Sequence, residues 1–273
     1  MKPQPRIVVI GYGAITDEIV RCLDARGTLG CLLGVLDVPA RLPELVPKAA
    51  GRFKVTGSLQ ELLTLGPDIV IEAAGHGAVH QFGCEVLSRG KDLLLASTGT
   101  LADPELTARL VRAAAPGTEL WIASGAVAGI DGLLGARTAG LQSVTYTSVK
   151  GPHAWKGTAG EGLIDPSAKD RRVFFRGTAR EAASQYPQNA NVGATIALAG
   201  LGLDRTQVHL ASDPSVAGPL GIIEASGEFG TFLFEILALA SPTNPKTSAL
   251  TGHSIVSAAL DGMCFRALEQ LRA

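Results

Sequence analysis

The first 125 residues alternate short apolar runs with stretches of helical spacing. Strands are predicted at 6–11, 31–37, 68–75, 92–98 and 119–125, and amphipathic helices at 14–27, 58–66, 78–90 and 103–117. Ser58 and Asp103 stand where helix N-caps are expected, and Gly27 stands where the first helix should end. Strands and helices that alternate in this way predict an α/β fold with a doubly wound parallel sheet.

After Gly125 the pattern changes to longer β segments. Strands are predicted at 143–151, 171–179, 206–213 and 221–239, with a hairpin at Ser226-Gly227 and helices at 179–187 and 191–202. This order is typical of a second α+β domain built on a mostly antiparallel sheet. We therefore predict a dinucleotide-binding domain over 1–126 and a substrate and dimerisation domain over 127–243. Residues 244–273 return to helical spacing and are expected to pack back on the first domain.

Composition excludes some classes of protein but does not identify the function. Apolar residues make up 46% of the 273 positions and charged residues 18%, which fits a compact enzyme and argues against disorder. The formal net charge of −1 gives no general attraction to nucleic acid or to an anionic membrane surface. A small-molecule substrate is therefore the expected partner.

The cysteines and the apolar runs indicate the compartment. The 4 cysteines have no C-x-x-C spacing, so neither a zinc site nor a disulfide framework is expected. No apolar run reaches the roughly 20 residues that a membrane span needs, and a strand begins too early for a signal peptide. We expect a cytoplasmic protein without a membrane segment.

The first strand runs directly into a glycine turn. Gly11 allows a tight turn, and Gly13 lets the backbone approach a pyrophosphate that lies on the helix N-terminus with Ala14 and Ile15. Thr16 replaces the third glycine of the usual fingerprint, whose task is close packing of helix on strand. The context predicts a Rossmann-type dinucleotide site in which this replacement matters little.

Two further segments are expected to complete that site. Asp37 ends the second strand, where an acidic side chain binds the ribose hydroxyls of the adenosine, which favours NAD. Arg41 follows closely enough to receive a 2′-phosphate, so NADP stays possible. Ala74 and Gly75, at the carboxyl end of a neighbouring strand, are also expected to contact the cofactor.

Several later segments together resemble the L-aspartate dehydrogenase family. They are EAAGH, SGAVAGIDGL, SVTYT with the lysine that follows it, YPQNANVGATIALAGLGLDRTQV, DPSVAG to EASGEFG, and NPKTSALT. The resemblance covers nearly the whole chain. It implies a homodimer and the NAD(P)-dependent oxidation of aspartate to iminoaspartate, which hydrolyses to oxaloacetate and ammonia or feeds nicotinamide synthesis.

The resemblance also assigns residues. It implies that the backbone of Ala126 contacts the nicotinamide half of the cofactor, and that Asn191 contacts the cofactor through its side chain, although Asn191 is equally placed to cap the next helix. Lys246, in NPKTSALT, is a further expected cofactor contact. Lys150 matches a family lysine and is a candidate to bind a substrate carboxylate, its alternative being an exposed residue at a strand end.

One position departs from the family pattern. Aligning DPSVAG and EASG leaves Gly221 where the family carries its catalytic histidine. Oxidation of an amine requires a proton acceptor, so another residue must supply one. His153 is the first candidate, with Lys150 beside it, and His76 is a second, unless it only caps a loop.

His209 and His253 are weaker candidates for the same proton transfer. His209 alternates with apolar residues of a strand, and His253 has helical spacing. Gly221 also leaves two alternatives to an aspartate dehydrogenase open. One is an imine reductase that acts on a different substrate, and the other is a catalytically weak NAD-binding protein.

Overall fold

The computed structural model describes residues 4–187, 190–241 and 244–272 and separates into two compact units. Unit 1 comprises Met1–Ser97, Asp103–Gly125 and Thr251–Ala273. Unit 2 comprises Thr98–Ala102 and Ala126–Leu250. Within the described residues no helix has the length and apolar character needed to cross a membrane.

Unit 1 is built on a seven-stranded sheet. Its strands are β1 (Ile7–Ile10), β2 (Leu32–Leu36), β3 (Lys54–Thr56), β4 (Ile69–Glu72), β5 (Asp92–Leu95), β6 (Leu120–Ala123) and β14 (Cys264–Arg266). Its helices are α1 (Ala14–Ala25), α2 (Leu42–Ala49), α3 (Leu59–Thr64), α4 (His76–Ser88), α5 (Pro104–Ala113), α9 (Leu250–Asp261, from Thr251 onward) and α10 (Leu268–Arg272).

The strand order β14-β6-β5-β4-β1-β2-β3 confirms the doubly wound prediction. All neighbouring pairs are parallel except β14 with β6. The chain winds outward in both directions from β1 and β4, so the loops that follow these two strands leave the same sheet edge side by side. Ligands of open α/β sheets bind at this switch point.

Local signals in unit 1 explain which elements were predicted. The Ser58 hydroxyl accepts the N–H of Glu61, and the Asp103 carboxylate accepts the N–H of Glu105, so both N-caps are confirmed. Helix α2 and strand β3 were not predicted. Pro43 stands in the first turn of α2, where proline is tolerated. Pro47 lies inside the helix, and a proline at such a position normally argues against a helix prediction.

The predicted helical tail is wrong in part. Residues Asn244–Ser248 form strand β13, paired with β12 (Ala240–Ser241), and belong to unit 2. Helix α9 follows and packs on α1 at Gly252, where an added Cβ would collide with Glu18 Cβ and lie 3.1 Å from the Ile15 carbonyl oxygen. The glycine lets the two helix backbones approach closely.

Unit 2 is built on a five-stranded sheet in the order β11-β10-β7-β9-β8. Its strands are β7 (Leu141–Lys150), β8 (Arg172–Thr178), β9 (Gln207–Ser212), β10 (Leu220–Gly227) and β11 (Gly230–Leu237), and its helices are α6 (Ile130–Thr138), α7 (Ala179–Gln185) and α8 (Asn191–Ala199). Only β7 and β9 pair in parallel, which confirms the mostly antiparallel sheet.

Glycines account for two differences in unit 2. The hairpin turns at residues 228–229 rather than at Ser226-Gly227, since Gly227 still pairs with Gly230 and lies against β7, where an added Cβ would be 2.9 Å from the Leu141 Cα. Helix α6 was not predicted, since Gly132 and Gly135 weaken its pattern. Gly132 lies where a Cβ would come within 3.7 Å of the Phe234 ring, so α6 packs closely on β11.

We expect Gly252→Ala to lower the free energy of unfolding of unit 1 by about 1–3 kcal/mol, because α1 and α9 must separate to admit the methyl group. Gly77→Ala is the matched control: it also lies in a helix of unit 1, and an added Cβ there meets nothing within 4 Å. Denaturant unfolding of both variants tests this. Equal stability of the two variants would contradict the close packing at Gly252.

Candidate functional site

One close approach and two hydrogen bonds fix the turn after β1. Gly11 has φ +95°, and an added Cβ there would lie 2.5 Å from Ala74 Cβ. The Gly11 N–H donates to the Leu36 carbonyl oxygen (2.7 Å), and its own carbonyl accepts the Thr16 hydroxyl (2.7 Å). Thr16 is fully buried and thereby ties α1 to the turn. The third position thus holds helix and turn together by a hydrogen bond where a glycine would do so by close approach.

Gly13 is different because no protein contact requires it. An added Cβ would meet nothing within 4 Å, and the φ of −116° suits any residue. Gly13 is also the N-cap of α1, where no side chain caps the free N–H groups of the first turn. Open space beside these donors, at the positive end of a 12-residue helix, fits a phosphate group.

Asp37 follows β2 and is held rigidly. One carboxylate oxygen accepts the Tyr12 N–H (2.7 Å) and lies 3.1 Å from Arg41 Nη1, and the other accepts the Val38 N–H (2.7 Å). The Asp37 side chain is buried, whereas Arg41 is partly exposed. The arrangement presents a fixed carboxylate with a movable guanidinium beside it.

Glu72 is a residue of this region that the sequence analysis missed. Its side chain is 1% exposed and accepts the N–H groups of Ala74 (2.8 Å), Gly75 (2.7 Å) and Ser97 (3.1 Å), and the Ser97 hydroxyl (3.0 Å). Burial raises the pKa of Glu72, and these donors oppose the rise. Glu72 therefore fixes the turn that faces Gly11. An acidic residue inside an apolar strand was the available signal.

His76 is the first residue of α4, directly after its N-cap Gly75, which has φ +116°. It therefore lies at the same sheet edge as the glycine turn, within unit 1. His253 lies in α9 of unit 1.

Five of the predicted cofactor contacts follow strands β1, β2 and β4 and therefore lie at one edge of the sheet of unit 1: Gly11, Gly13, Asp37, Ala74 and Gly75.

In unit 2, Asn191 begins α8 without being its N-cap, a role taken by Ala190. The Asn191 side-chain oxygen instead accepts the Gly99 N–H (2.9 Å), and its backbone carbonyl accepts the Thr98 hydroxyl (2.7 Å). The alternative role of Asn191, as the N-cap of α8, therefore does not hold. Because its oxygen is held by Gly99, the amide N–H₂ is oriented as a donor.

The inner face of the sheet of unit 2, which we define as the face covered by α6 and α8, carries Tyr146, Ser148, Lys150 and Gly221. Alternate residues of a strand share a face, and Gly221 pairs with Ser148. Gly193 of α8 packs over this face, 3.6 Å from Tyr146 as measured to an added Cβ. Burial raises the pKa of Tyr146 to about 12, and Ser148 hydrogen bonds to its phenol.

Lys150 ends β7 beside a buried aromatic residue. Its Nζ lies 5.1 Å from the centroid of the Trp155 ring, which is fully buried. Burial lowers the pKa of Lys150 to about 8, so this lysine titrates near neutral pH. The alternative, an exposed lysine at a strand end, therefore does not hold, because the amine is half-buried beside an aromatic ring.

The remaining histidines of unit 2 lie apart from that face. His153 is exposed, in the short helical turn Pro152–Trp155, and its ring lies 2.9 Å from an added Cβ on Gly151. His209 lies on the opposite face of the sheet, 3.2 Å from Arg176 Nη1, and burial lowers its pKa. His209 is therefore a residue of the outer face, as its alternation predicted.

Two further predicted cofactor contacts, Ala126 and Lys246, lie in unit 2. Ala126 stands between β6 and α6, directly after Gly125, which has φ +69°. Lys246 lies in β13, but its side chain lies outside the described residues.

Two family models match successive parts of the chain. Residues 11–121 match the model described as homoserine dehydrogenase, NAD binding domain. Residues 131–261 match the model described as aspartate dehydrogenase, C-terminal.

Curated relatives match over nearly the full length. The chain is 42% identical over 255 residues to L-aspartate dehydrogenase of Serratia proteamaculans (strain 568), a match that covers 93% of this chain and 95% of the relative. It is 40% identical over 256 residues to L-aspartate dehydrogenase of Acinetobacter baumannii (strain ACICU), with the same coverage of both chains. Among solved structures, aspartate dehydrogenase from Thermotoga maritima aligns with a TM-score of 0.69 at 20% identity, covering 93% of this chain and 94% of that one, which shows the shared fold.

We expect Gly13→Val to weaken binding of reduced NAD by more than tenfold, which corresponds to over ~1.4 kcal/mol, because its side chain fills the space beside the α1 N-terminus. Its unfolding temperature should stay unchanged, since no protein atom is near. Gly30→Val, where an added Cβ also meets nothing within 4 Å, is the control. Titration of nicotinamide fluorescence measures the dissociation constants, and unchanged binding by Gly13→Val would place the phosphates elsewhere.

Proposed function

The chain belongs to the L-aspartate dehydrogenase family, and on that premise we propose that it oxidises the CH–NH₂ group of L-aspartate with NAD(P), giving iminoaspartate and then oxaloacetate and ammonia. The observation that carries this proposal is the 40–42% identity to L-aspartate dehydrogenases over 93% of the chain. Both units take part in the match, so the nucleotide-binding and the family-specific parts are present together.

Unit 1 is the proposed dinucleotide-binding domain. Gly11, Gly13, Ala14 and Ile15 would hold the pyrophosphate at the α1 N-terminus, and the buried Asp37 carboxylate would bind the adenosine ribose. Ala74 and Gly75, held by Glu72, form the other wall of that turn. When bound, NAD supplies a nicotinamide ring that accepts a hydride. The fixed position of Asp37 favours NAD, and Arg41 is the group through which NADP would be accepted.

Unit 2 is the proposed substrate and dimerisation domain. The oriented amide of Asn191 and the backbone of Ala126 are the proposed contacts to the nicotinamide half of the cofactor, together with Lys246. Lys150 provides a cation for a dicarboxylate in a half-buried setting, where a charge–charge contact is stronger than in water. His153 and His76 remain the other candidates for proton transfer.

The outer face of the sheet of unit 2, which we define as the face opposite α6 and α8, is the proposed homodimer interface. One cross-strand row on it runs through Arg176, His209, Thr147, Ile222 and Glu235. The row is basic at one end and acidic at the other. A second copy related by a two-fold axis parallel to the strands would place each Arg176 end over the partner's acidic end.

Exposed leucines on the same face favour this arrangement. Leu233 and Leu237 are 57% and 56% exposed on β11. Large apolar side chains grouped on a sheet face are typical of interaction sites. The second copy would bury them.

The cell compartment is proposed from the thiols. All four cysteines, Cys22, Cys31, Cys84 and Cys264, are free. Free thiols fit a reducing compartment, so we propose the cytoplasm. The family resemblance further favours a role in NAD biosynthesis, in which iminoaspartate would leave before it hydrolyses.

Gly221 favours a second candidate within the same chemistry, an imine reductase for a substrate other than aspartate. A catalytically weak NAD-binding protein is the remaining alternative. Assays of turnover with different substrates distinguish these three functions.

We expect purified protein to reduce NAD with L-aspartate and to oxidise reduced NAD with oxaloacetate plus ammonium, both saturably. Absorbance of the reduced nicotinamide measures the rate. D-Aspartate is the control substrate. Turnover of other keto acids with amines, but not of oxaloacetate with ammonium, would favour the imine reductase, and cofactor binding without turnover on the panel would favour the binding protein.

We expect the double variant Leu233→Glu, Leu237→Glu to be a monomer at concentrations where the natural chain is a dimer, because the interface would lose its exposed leucines and would have to bury four carboxylates in their place. Leu163→Glu is the matched control, since Leu163 is also 57% exposed but lies outside the outer face. Light scattering after size exclusion measures the masses. A natural chain that is monomeric at micromolar concentration would contradict the proposed dimer.

A further inference from the structure

The carboxyl ends of β4 and β5 form the half of the nucleotide-binding edge that lies away from Asp37. Asp37 follows β2 and the glycine turn follows β1, so the adenosine and the pyrophosphate are assigned to these two strands. The second half of a dinucleotide then extends past β4 toward β5, the next strands in the sheet order. The loops after β4 and β5 therefore shape the site of the nicotinamide half.

A buried carboxylate of unit 1 joins these two loops. Glu72, the last residue of β4, accepts the N–H groups of Ala74 (2.8 Å) and Gly75 (2.7 Å) on Oε1. The same oxygen accepts the Ser97 hydroxyl (3.0 Å), and Oε2 accepts the Ser97 N–H (3.1 Å). Ser97 stands two residues after the end of β5. One side chain thus connects the turn after β4 with the chain that leaves β5.

Glu72 also continues the pairing of β4 with β5 beyond the two strands. Its backbone carbonyl accepts the Ala96 N–H (3.0 Å), and its side chain accepts the next N–H along the chain, that of Ser97. The backbone and the side chain of one residue thereby hold two successive peptide groups after β5.

The set of partners requires a carboxylate. Three of the four donors to Glu72 are backbone N–H groups, which cannot accept a hydrogen bond. An ionised carboxylate accepts on both oxygens and donates on neither, whereas glutamine replaces one oxygen by N–H₂. Whichever way a glutamine amide turned at this position, its N–H₂ would face at least one of the backbone N–H groups.

Glu72 acts on a ligand only through the loops that it holds. Its side chain is 1% exposed, and Ser97 is 5% exposed. Ala74, in the turn that the carboxylate fixes, is exposed at the nucleotide-binding edge. The buried carboxylate therefore sets the position of groups that a cofactor contacts, without contacting the cofactor itself.

We infer that Glu72, together with Ser97, is the positioning residue for the nicotinamide half of the cofactor. The inference rests on the proposed function and assigns to that site a residue outside the glycine turn. Loss of the carboxylate would free the loops after β4 and β5 from each other. The adenosine half would keep its contacts, because Asp37 is held by the Tyr12 and Val38 N–H groups.

Glu72→Gln tests the inference through two ligands. We expect the dissociation constant of reduced NAD to rise by about tenfold or more, because a buried N–H group loses its acceptor and the loops shift. The dissociation constant of AMP, which carries only the adenosine half, should stay unchanged. Titration of nicotinamide fluorescence measures the first constant, and calorimetric titration measures the second.

Asp92→Asn is the matched control. Asp92 begins β5, at the opposite edge of the same sheet, and its carboxylate accepts the Glu119 N–H (2.9 Å) and the Trp121 indole N–H (2.9 Å). This substitution also exchanges a hydrogen-bonded carboxylate for an amide, so it should lower the unfolding temperature. Both dissociation constants should stay unchanged, which separates loss of stability from displacement of the loops.

Ser97→Ala is a milder variant that keeps the test decisive if Glu72→Gln does not fold. It removes one of the four hydrogen bonds and leaves the backbone N–H of residue 97 on Oε2. We expect the dissociation constant of reduced NAD to rise about threefold, in line with the loss of one hydrogen bond, and that of AMP to stay unchanged.

The contrary outcomes are distinct. If Glu72→Gln and Ser97→Ala bind reduced NAD as tightly as the natural chain, the inference is wrong. It is also wrong if Glu72→Gln weakens reduced NAD and AMP in equal proportion, since the carboxylate would then support the whole edge. A natural chain that binds reduced NAD but oxidises no aspartate would overturn the proposed reaction, while the binding ratio would still decide the role of Glu72. A natural chain that binds no dinucleotide would overturn both.

Discussion

The close approach of Gly11 to Ala74 is the constraint on which the nucleotide-binding edge of unit 1 depends. The two residues follow β1 and β4, the strands from which the sheet winds in both directions, and a Cβ on Gly11 would lie 2.5 Å from Ala74 Cβ. Both turns must therefore adopt their shapes together. Thr16 holds one turn by its hydrogen bond to Gly11, and Glu72 holds the other through the Ala74 and Gly75 N–H groups.

These supports explain why a changed fingerprint is tolerated. The third glycine normally permits close packing of helix on strand. A buried threonine hydroxyl at 2.7 Å from a carbonyl achieves a fixed distance by bonding. Gly13 is required by no protein contact, and the open space beside it is what the proposed phosphate site depends on.

In unit 2 the organising constraint is the alternation of side chains along a twisted sheet. Its inner face is covered by α6 and α8 through close contacts at Gly132 and Gly193. The same alternation that buries Tyr146 carries Lys150 to the end of that face. Burial then shifts the pKa values of the phenol and the amine in opposite directions, to about 12 and about 8, because the neutral form is favoured in both. One environment thus keeps the phenol protonated and lowers the pKa of the amine.

The sequence by itself determined the parts that depend on local pattern. Apolar periodicity and caps such as Ser58 predicted the parallel sheet, and the glycine turn with Asp37 predicted where a dinucleotide would lie. Tertiary contacts decided the rest, since they join residues far apart in the chain. The Asn191 oxygen turned to Gly99 rather than to its own helix, and β13 paired with β12 where helical spacing was expected. The character of Lys150 was decided in the same way, because only the folded sheet and the Trp155 ring remove its amine from water, and a lysine in a sequence carries no sign of its burial.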